Sequence, residues 1–172
     1  SGSPVYNAGG ALIGSISYGL ATTSPIAGIT PADDMVDVLE RPTTPASPRT
    51  SRPTQALAKK IAATGAVTAR QASAGFAALK IPLAVSGVGA SRLQKFADRL
   101  PAGDRFIPYA AGSAKASAQP GNPAEIQPGS NFATAFSYGD ITAGGVGTTT
   151  ARCGNSVIAF GHPMNFDGPT SL

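Results

Sequence analysis

The chain has 172 residues, 42% hydrophobic, 13% charged and 6% aromatic, with 21 Gly, 15 Pro, no Trp and a formal net charge of +4. That length and apolar share support a core, and the abundance of turn formers favours mainly β structure with long loops over a helical bundle. A single cysteine, Cys153, excludes an internal disulfide and a multi-cysteine metal site, and no apolar run is long enough to span a bilayer.

In chain order, Pro4 to Tyr6 and Ala11 to Tyr18 predict a first hairpin, because Asn7, Gly9 and Gly10 accept turn conformations and Leu12, Ile13, Ile16 and Tyr18 supply β-type apolar content. Thr30 is placed to cap a helix with Pro31 at its first position, Asp33 and Asp34 in its first turn, and Met35, Val36, Val38 and Leu39 as its apolar face. Arg41 to Pro53 reads as a linker, and Gln55 to Leu79 as alanine-rich helix interrupted near Thr64 and Gly65. Across Arg41, Arg49, Arg52, Lys59, Lys60, Arg70 and Lys80 there is no acidic residue. The stretch reads as a solvated connector, the alternative being contact with an anionic cell-envelope surface; no aromatic interleaving points to nucleic acid.

Ile81 to Gly87 reads as a short strand, its proline marking an edge or a start. Ser91 then caps a helix through Leu93, Phe96, Ala97 and Leu100 that stops at Pro101. Ala102 to Ser130 has no sustained period and reads as loop. Three strands close the chain, Phe132 to Tyr138, Ile141 to Ala151 and Ser156 to Phe160, with Gly144 and Gly145 as a candidate bulge. The organisation expected is a hairpin and helix over 1–40, a basic Pro- and Ala-rich region over 41–80, and a second β segment over 81–172.

His162 is the only histidine, so serine–histidine chemistry must use it or do without. Ser1, between small residues and ahead of a strand, is the candidate nucleophile, with Ser3 as its neighbour; His162 has a suitable ordinary pKa of ~6.5 to take its proton. Asp140, at a strand boundary, is the first candidate to orient the ring and Asp167 the second, whereas Asp33 and Asp34 are explained by helix capping. The Ser1 α-amine as base and Cys153 as nucleophile are further readings. Dispersed carboxylates lack metal-ligand spacing, and the glycine clusters are not followed by Lys-Ser or Lys-Thr, so neither a metal, a phosphate loop nor a cofactor is expected.

Several segments together resemble the SpoIVB-type serine peptidase family of bacteria. They are Ser1-Gly2-Ser3-Pro4-Val5-Tyr6, Leu12-Ile13-Gly14, Pro25-Ile26-Ala27-Gly28-Ile29-Thr30-Pro31, Ile81-Pro82-Leu83-Ala84-Val85-Ser86-Gly87, Gln127-Pro128-Gly129-Ser130, Gly139-Asp140-Ile141, Gly145-Val146-Gly147-Thr148-Thr149-Thr150 and Val157-Ile158-Ala159-Phe160-Gly161-His162-Pro163. The resemblance implies a trypsin-like β-barrel with one or two peripheral helices, a secreted or envelope-associated setting, and hydrolysis of a protein or peptide substrate by Ser1 with His162 as base. The chain does not begin with Met and both ends fall within motif-like segments, which is expected of a piece of a longer protein. A non-catalytic envelope module on the same scaffold is the competing expectation.

Overall fold

The computed structural model describes residues 1–20, 24–40, 50–101, 104–112 and 122–164. Within them the chain is mainly β: two five-stranded open sheets with four α-helices, and no closed barrel among the described residues.

The first sheet is organised on β2 (Leu12–Gly19), which β1 (Pro4–Tyr6), β3 (Ala27–Pro31) and β5 (Phe76–Ala78) all pair antiparallel. Since β3 runs along Gly14 to Gly19, β1 and β5 share the opposite edge of β2, β1 at its start and β5 at its end. Backbone bonds fill the interval between them: Gly2 N–H donates to Ile16 O (2.8 Å), Ile16 N–H to Ser3 O (2.9 Å) and Leu79 N–H to Ser17 O (2.8 Å). Ser1 therefore stands where β1 gives way to the strand-like segment ending at Leu79. The first turn forms because Asn7 Oδ1 accepts the N–H groups of Gly9 and Ala11, both at 2.9 Å.

Helix α1 (Ala32–Glu40) follows β3 directly, with Asp33 and Asp34 at the positive end of its dipole. Thr30 is not its cap: it belongs to β3, and its hydroxyl points into the sheet. Only Met35 of the expected apolar face is buried; Val36, Val38 and Leu39 are exposed.

The expected linker is in part beyond the described residues (41–49), but its end, β4 (Thr50–Ser51), pairs with β5 in the first sheet. Helices α2 (Gln55–Ala63) and α3 (Ala69–Ala74) lie between β4 and β5, separated at Thr64 to Thr68 as the glycine suggested. Each is capped by threonine: Thr54 Oγ1 accepts from Leu57 N–H (3.3 Å), and Thr68 and Gln71 form a capping box. Their small inner faces, Ala58 and Ala72, close with Val67 around the fully buried Leu20, so this region is folded onto the first sheet.

In the second sheet, β9 (Thr142–Cys153) is flanked by β8 (Asn131–Ser137), β10 (Ser156–Ala159) and β6 (Ile81–Ser86), all antiparallel. Strand β7 (Phe106–Ala110) adds to β6 in parallel. β7 lies within the segment read as loop; Pro108 obscures its period, and its partner is distant in sequence. Pro82 sits inside the sheet, not at an edge, and does so at a start: Ile81 N–H points to β7 by donating to Arg105 O (2.7 Å), so the proline nitrogen faces β9, whose pairing begins only at Leu83. The register shift lies on β8, at Phe136 opposite the Ala143–Gly144 step, rather than on the glycine pair itself. Helix α4 (Ala90–Ala97) begins after Gly89, and Ser91 lies inside it rather than capping it. Its Leu93 buries against Leu83 and Val85.

Candidate active site

Ser1 and Gly2 lie between the two sheets. On one side Gly2 N–H is held by Ile16 of β2; on the other, Thr148 N–H donates to Ser1 O (3.0 Å) and Thr150 Oγ1 donates to Gly2 O (2.7 Å), both from β9. A Cβ on Gly2 would lie 2.6 Å from Phe160 N and 2.9 Å from its Cα, and Gly2 has φ +95°, so the approach requires glycine.

His162 reaches the same place from the end of β10. After Ala159 the chain turns through Phe160 (φ 67°) and Gly161 (φ 71°), two successive left-handed residues. Phe160 is the one non-glycine with positive φ among the described residues, a conformation costing about 1–2 kcal/mol. Packing compensates: the Phe160 side chain is buried, lies on the bare Cα of Gly147 and meets Phe132 edge-to-face at 5.9 Å, while Phe160 N–H donates to Thr148 O (3.1 Å). Thr148 thus ties both Ser1 and Phe160 to β9.

The His162 ring is half-buried. Nδ1 lies 3.3 Å from the carbonyl of Pro163, which can only accept, and the neutral ring carries its proton on one nitrogen and a lone pair on the other. Burial lowers the pKa of His162 below its ordinary value. The carbonyls of Pro163 and Leu79 act in the opposite sense, and the Arg105 guanidinium adds to the lowering. Arg105 is itself anchored by donating to Met164 O (2.8 Å). Ser1 and His162 are drawn to the same stretch of β9: Thr148 N–H holds the Ser1 carbonyl, and the Thr148 carbonyl holds the N–H of Phe160, two residues before His162.

Ser1 Oγ and His162 Nε2 are both buried, and neither has a hydrogen-bond partner; the Leu79 carbonyl faces the ring without closing a bond to Nε2. A buried unpaired polar atom costs about 1–3 kcal/mol, so each of the two is left ready to bond a further group.

The remaining predicted residues stand elsewhere. Ser3 accepts Ile16 N–H through its carbonyl and holds the β1 edge. Asp140 is exposed in the turn before β9, with its backbone carbonyl beneath Gly87. From Thr142, near Asp140, to Thr148, beside Ser1, a strand rising ~3.4 Å per residue covers about 20 Å, which separates Asp140 from Ser1 along β9. Asp167 is outside the described residues. Cys153 is exposed and free at the end of β9. No metal-binding group of His, Cys, Asp and Glu occurs among the described residues.

No family model matches the chain, and neither a curated protein nor a solved structure matches it. The reading of the site thus rests on its own geometry.

Sequence reasoning missed the residues around Ser1 and His162: Leu79, Phe160, the buried hydroxyls Ser15 and Ser17, and the half-buried Thr30. One signal was available, since Ser15 and Ser17 alternate with Leu12, Ile16 and Tyr18 in a strand, and two serines on one strand face require partners if that face is closed.

Proposed function

We propose that the chain is a serine peptidase of the SpoIVB type, built on trypsin-like ancestry and working at or outside the bacterial cell envelope. Ser1 is the nucleophile and His162 the general base. The observation that carries the reading is the pair of buried, unpartnered atoms, Ser1 Oγ and His162 Nε2, brought from opposite ends of the described chain.

In the reaction, Ser1 Oγ attacks the carbonyl carbon of a peptide bond as its proton passes to Nε2. The resulting imidazolium returns that proton to the leaving amine as the C–N bond breaks. Water then hydrolyses the acyl-serine by the same route. A lowered pKa keeps His162 neutral at pH 7 and ready to accept. No hydrogen bond joins the two groups at rest; such contacts commonly tighten only when substrate is bound.

A second reading, a non-catalytic envelope module, draws support from one observation. The folded segment 50–80 carries Arg52, Lys59, Lys60, Arg70 and Lys80 without an acid, a surface suited to an anionic envelope polymer or membrane. No helix among the described residues is long and apolar enough to cross a membrane.

Labelling of the full-length protein with a fluorophosphonate separates the two. Loss of labelling in Ser1→Ala and His162→Ala, with Ser3→Ala still labelled, supports the peptidase. A folded wild type that does not label leaves the module.

A further inference from the structure

Ser15 and Ser17 share a face of β2, and that face is closed: both side chains are fully buried. Hydroxyls in such a place are tolerated only when bonded. Thr30 Oγ1 donates to Ser17 Oγ at 2.8 Å. Ser17 Oγ in turn lies 2.9 Å from the Gly161 carbonyl, 3.0 Å from the Ser15 carbonyl and 3.3 Å from Ser15 Oγ, and Ser15 Oγ donates to Met35 Sδ at 3.3 Å. Ser17 has a single hydrogen to give. Directed along the shortest of its donor contacts, it goes to Gly161, the residue before His162, and the bond that Thr30 makes to the Ser17 oxygen strengthens it. The backbone of Ser17 reaches the ring by another path, since its carbonyl accepts Leu79 N–H at 2.8 Å and the Leu79 carbonyl faces the imidazole. Gly161 admits this arrangement because it is bare: a Cβ there would meet both serine hydroxyls.

We propose that Ser17, supported by Thr30, is the positioning residue of His162, clamping the Gly161 carbonyl and the Leu79 segment so that Nε2 is presented to Ser1. The inference rests on the reading of Ser1 and His162 as nucleophile and base. Ser17 touches no reacting atom. It performs by neutral hydrogen bonds the orienting task for which a carboxylate was expected.

The test uses the full-length protein and two readouts: the rate of fluorophosphonate acylation against probe concentration and pH, and the 15N signals of the His162 imidazole. Ser17→Ala is expected to lower the limiting acylation rate about tenfold, the scale of one lost buried hydrogen bond, with the half-saturating probe concentration unchanged. It should also move the His162 signals toward a mixture of tautomers. Ser17→Thr, which keeps the hydroxyl, should recover most of the rate, and Thr30→Val, close in shape, should fall between. Should Ser17→Ala not fold, Thr30→Val carries the comparison. Wild-type rate, pH profile and imidazole signals in Ser17→Ala, while Ser1→Ala and His162→Ala abolish labelling, would overturn the positioning role alone. Labelling that ignores His162→Ala defeats the dyad instead; the clamp on the ring then stands if the Ser17→Ala signals shift and falls if they do not.

Discussion

Gly2 and Phe160 meet backbone against backbone, so closely that a single added methyl on Gly2 would lie 2.6 Å from the Phe160 nitrogen. This contact joins the start of the first sheet to the end of the second, one residue after Ser1 and two before His162. Gly2→Ala would oppose both the space and the positive φ of the site. We expect it to lower stability by about 2–4 kcal/mol and to abolish probe labelling. Urea unfolding measures the first; an unchanged midpoint would show that the two sheets are not held together here.

Phe160 tests whether its left-handed backbone is strained. Phe160→Ala loses the packing on Gly147 and Phe132 and keeps the unfavourable φ, whereas Phe160→Gly loses slightly more surface and relieves the strain. The glycine variant should be the more stable of the two by about 1 kcal/mol, against a cost of about 3–5 kcal/mol for alanine relative to wild type. The reverse order in thermal or urea unfolding would mean the conformation is unstrained.

Asp140 should be dispensable. It is exposed and stands about 20 Å along β9 from Ser1 by strand rise. Asp140→Asn is expected to label within about twofold of wild type, the scale of an exposed charge. A much larger fall would make Asp140 part of the catalytic machinery.

The lowered pKa of His162 gives stability a definite pH dependence. In the unfolded chain the ring takes up a proton near its ordinary pKa of ~6.5, while the folded ring resists until a lower pH. Stability is therefore full above that ordinary value, declines as the pH drops below it, and levels off once the folded ring also protonates. Melting temperatures of wild type and His162→Gln, compared from about pH 7.5 down to about pH 5, should converge as the pH falls, because the variant lacks this loss. Parallel curves would indicate an unperturbed ring.

Leu20 anchors the basic helical segment. It is fully buried among Ala58, Val67 and Ala72, where β2 meets α2 and α3. Leu20→Ala should cost about 2–5 kcal/mol and raise amide exchange in α2 and α3 above that in β9. Equal protection of those helices in both proteins would show that their attachment lies elsewhere.

Much of the local structure was legible from residue patterns. Alternation and glycine turns located β1, β2, β8, β9 and β10, and the break between α2 and α3 was read from Thr64 and Gly65. Reading failed where a residue had two local uses. Thr30 suits a helix cap as well as a strand, and its hydroxyl is taken by Ser17, a partner that no short window contains. Strand β7 escaped because Pro108 breaks its period and because a parallel partner gives no hairpin signal.

The candidate site divides in the same way. Ser1 and His162 were identifiable as chemical types, one by its motif and the other as the sole histidine, since chemistry belongs to the side chain. Their approach through Gly2, Thr148 and Phe160, the separation of Asp140 from Ser1 along β9 and the enclosure of Ser15 and Ser17 were decided by tertiary structure alone. Burial and hydrogen-bond partnership depend on which distant segments pack together, and here β2, β9 and the Phe160–Gly161 turn converge from both ends of the described chain.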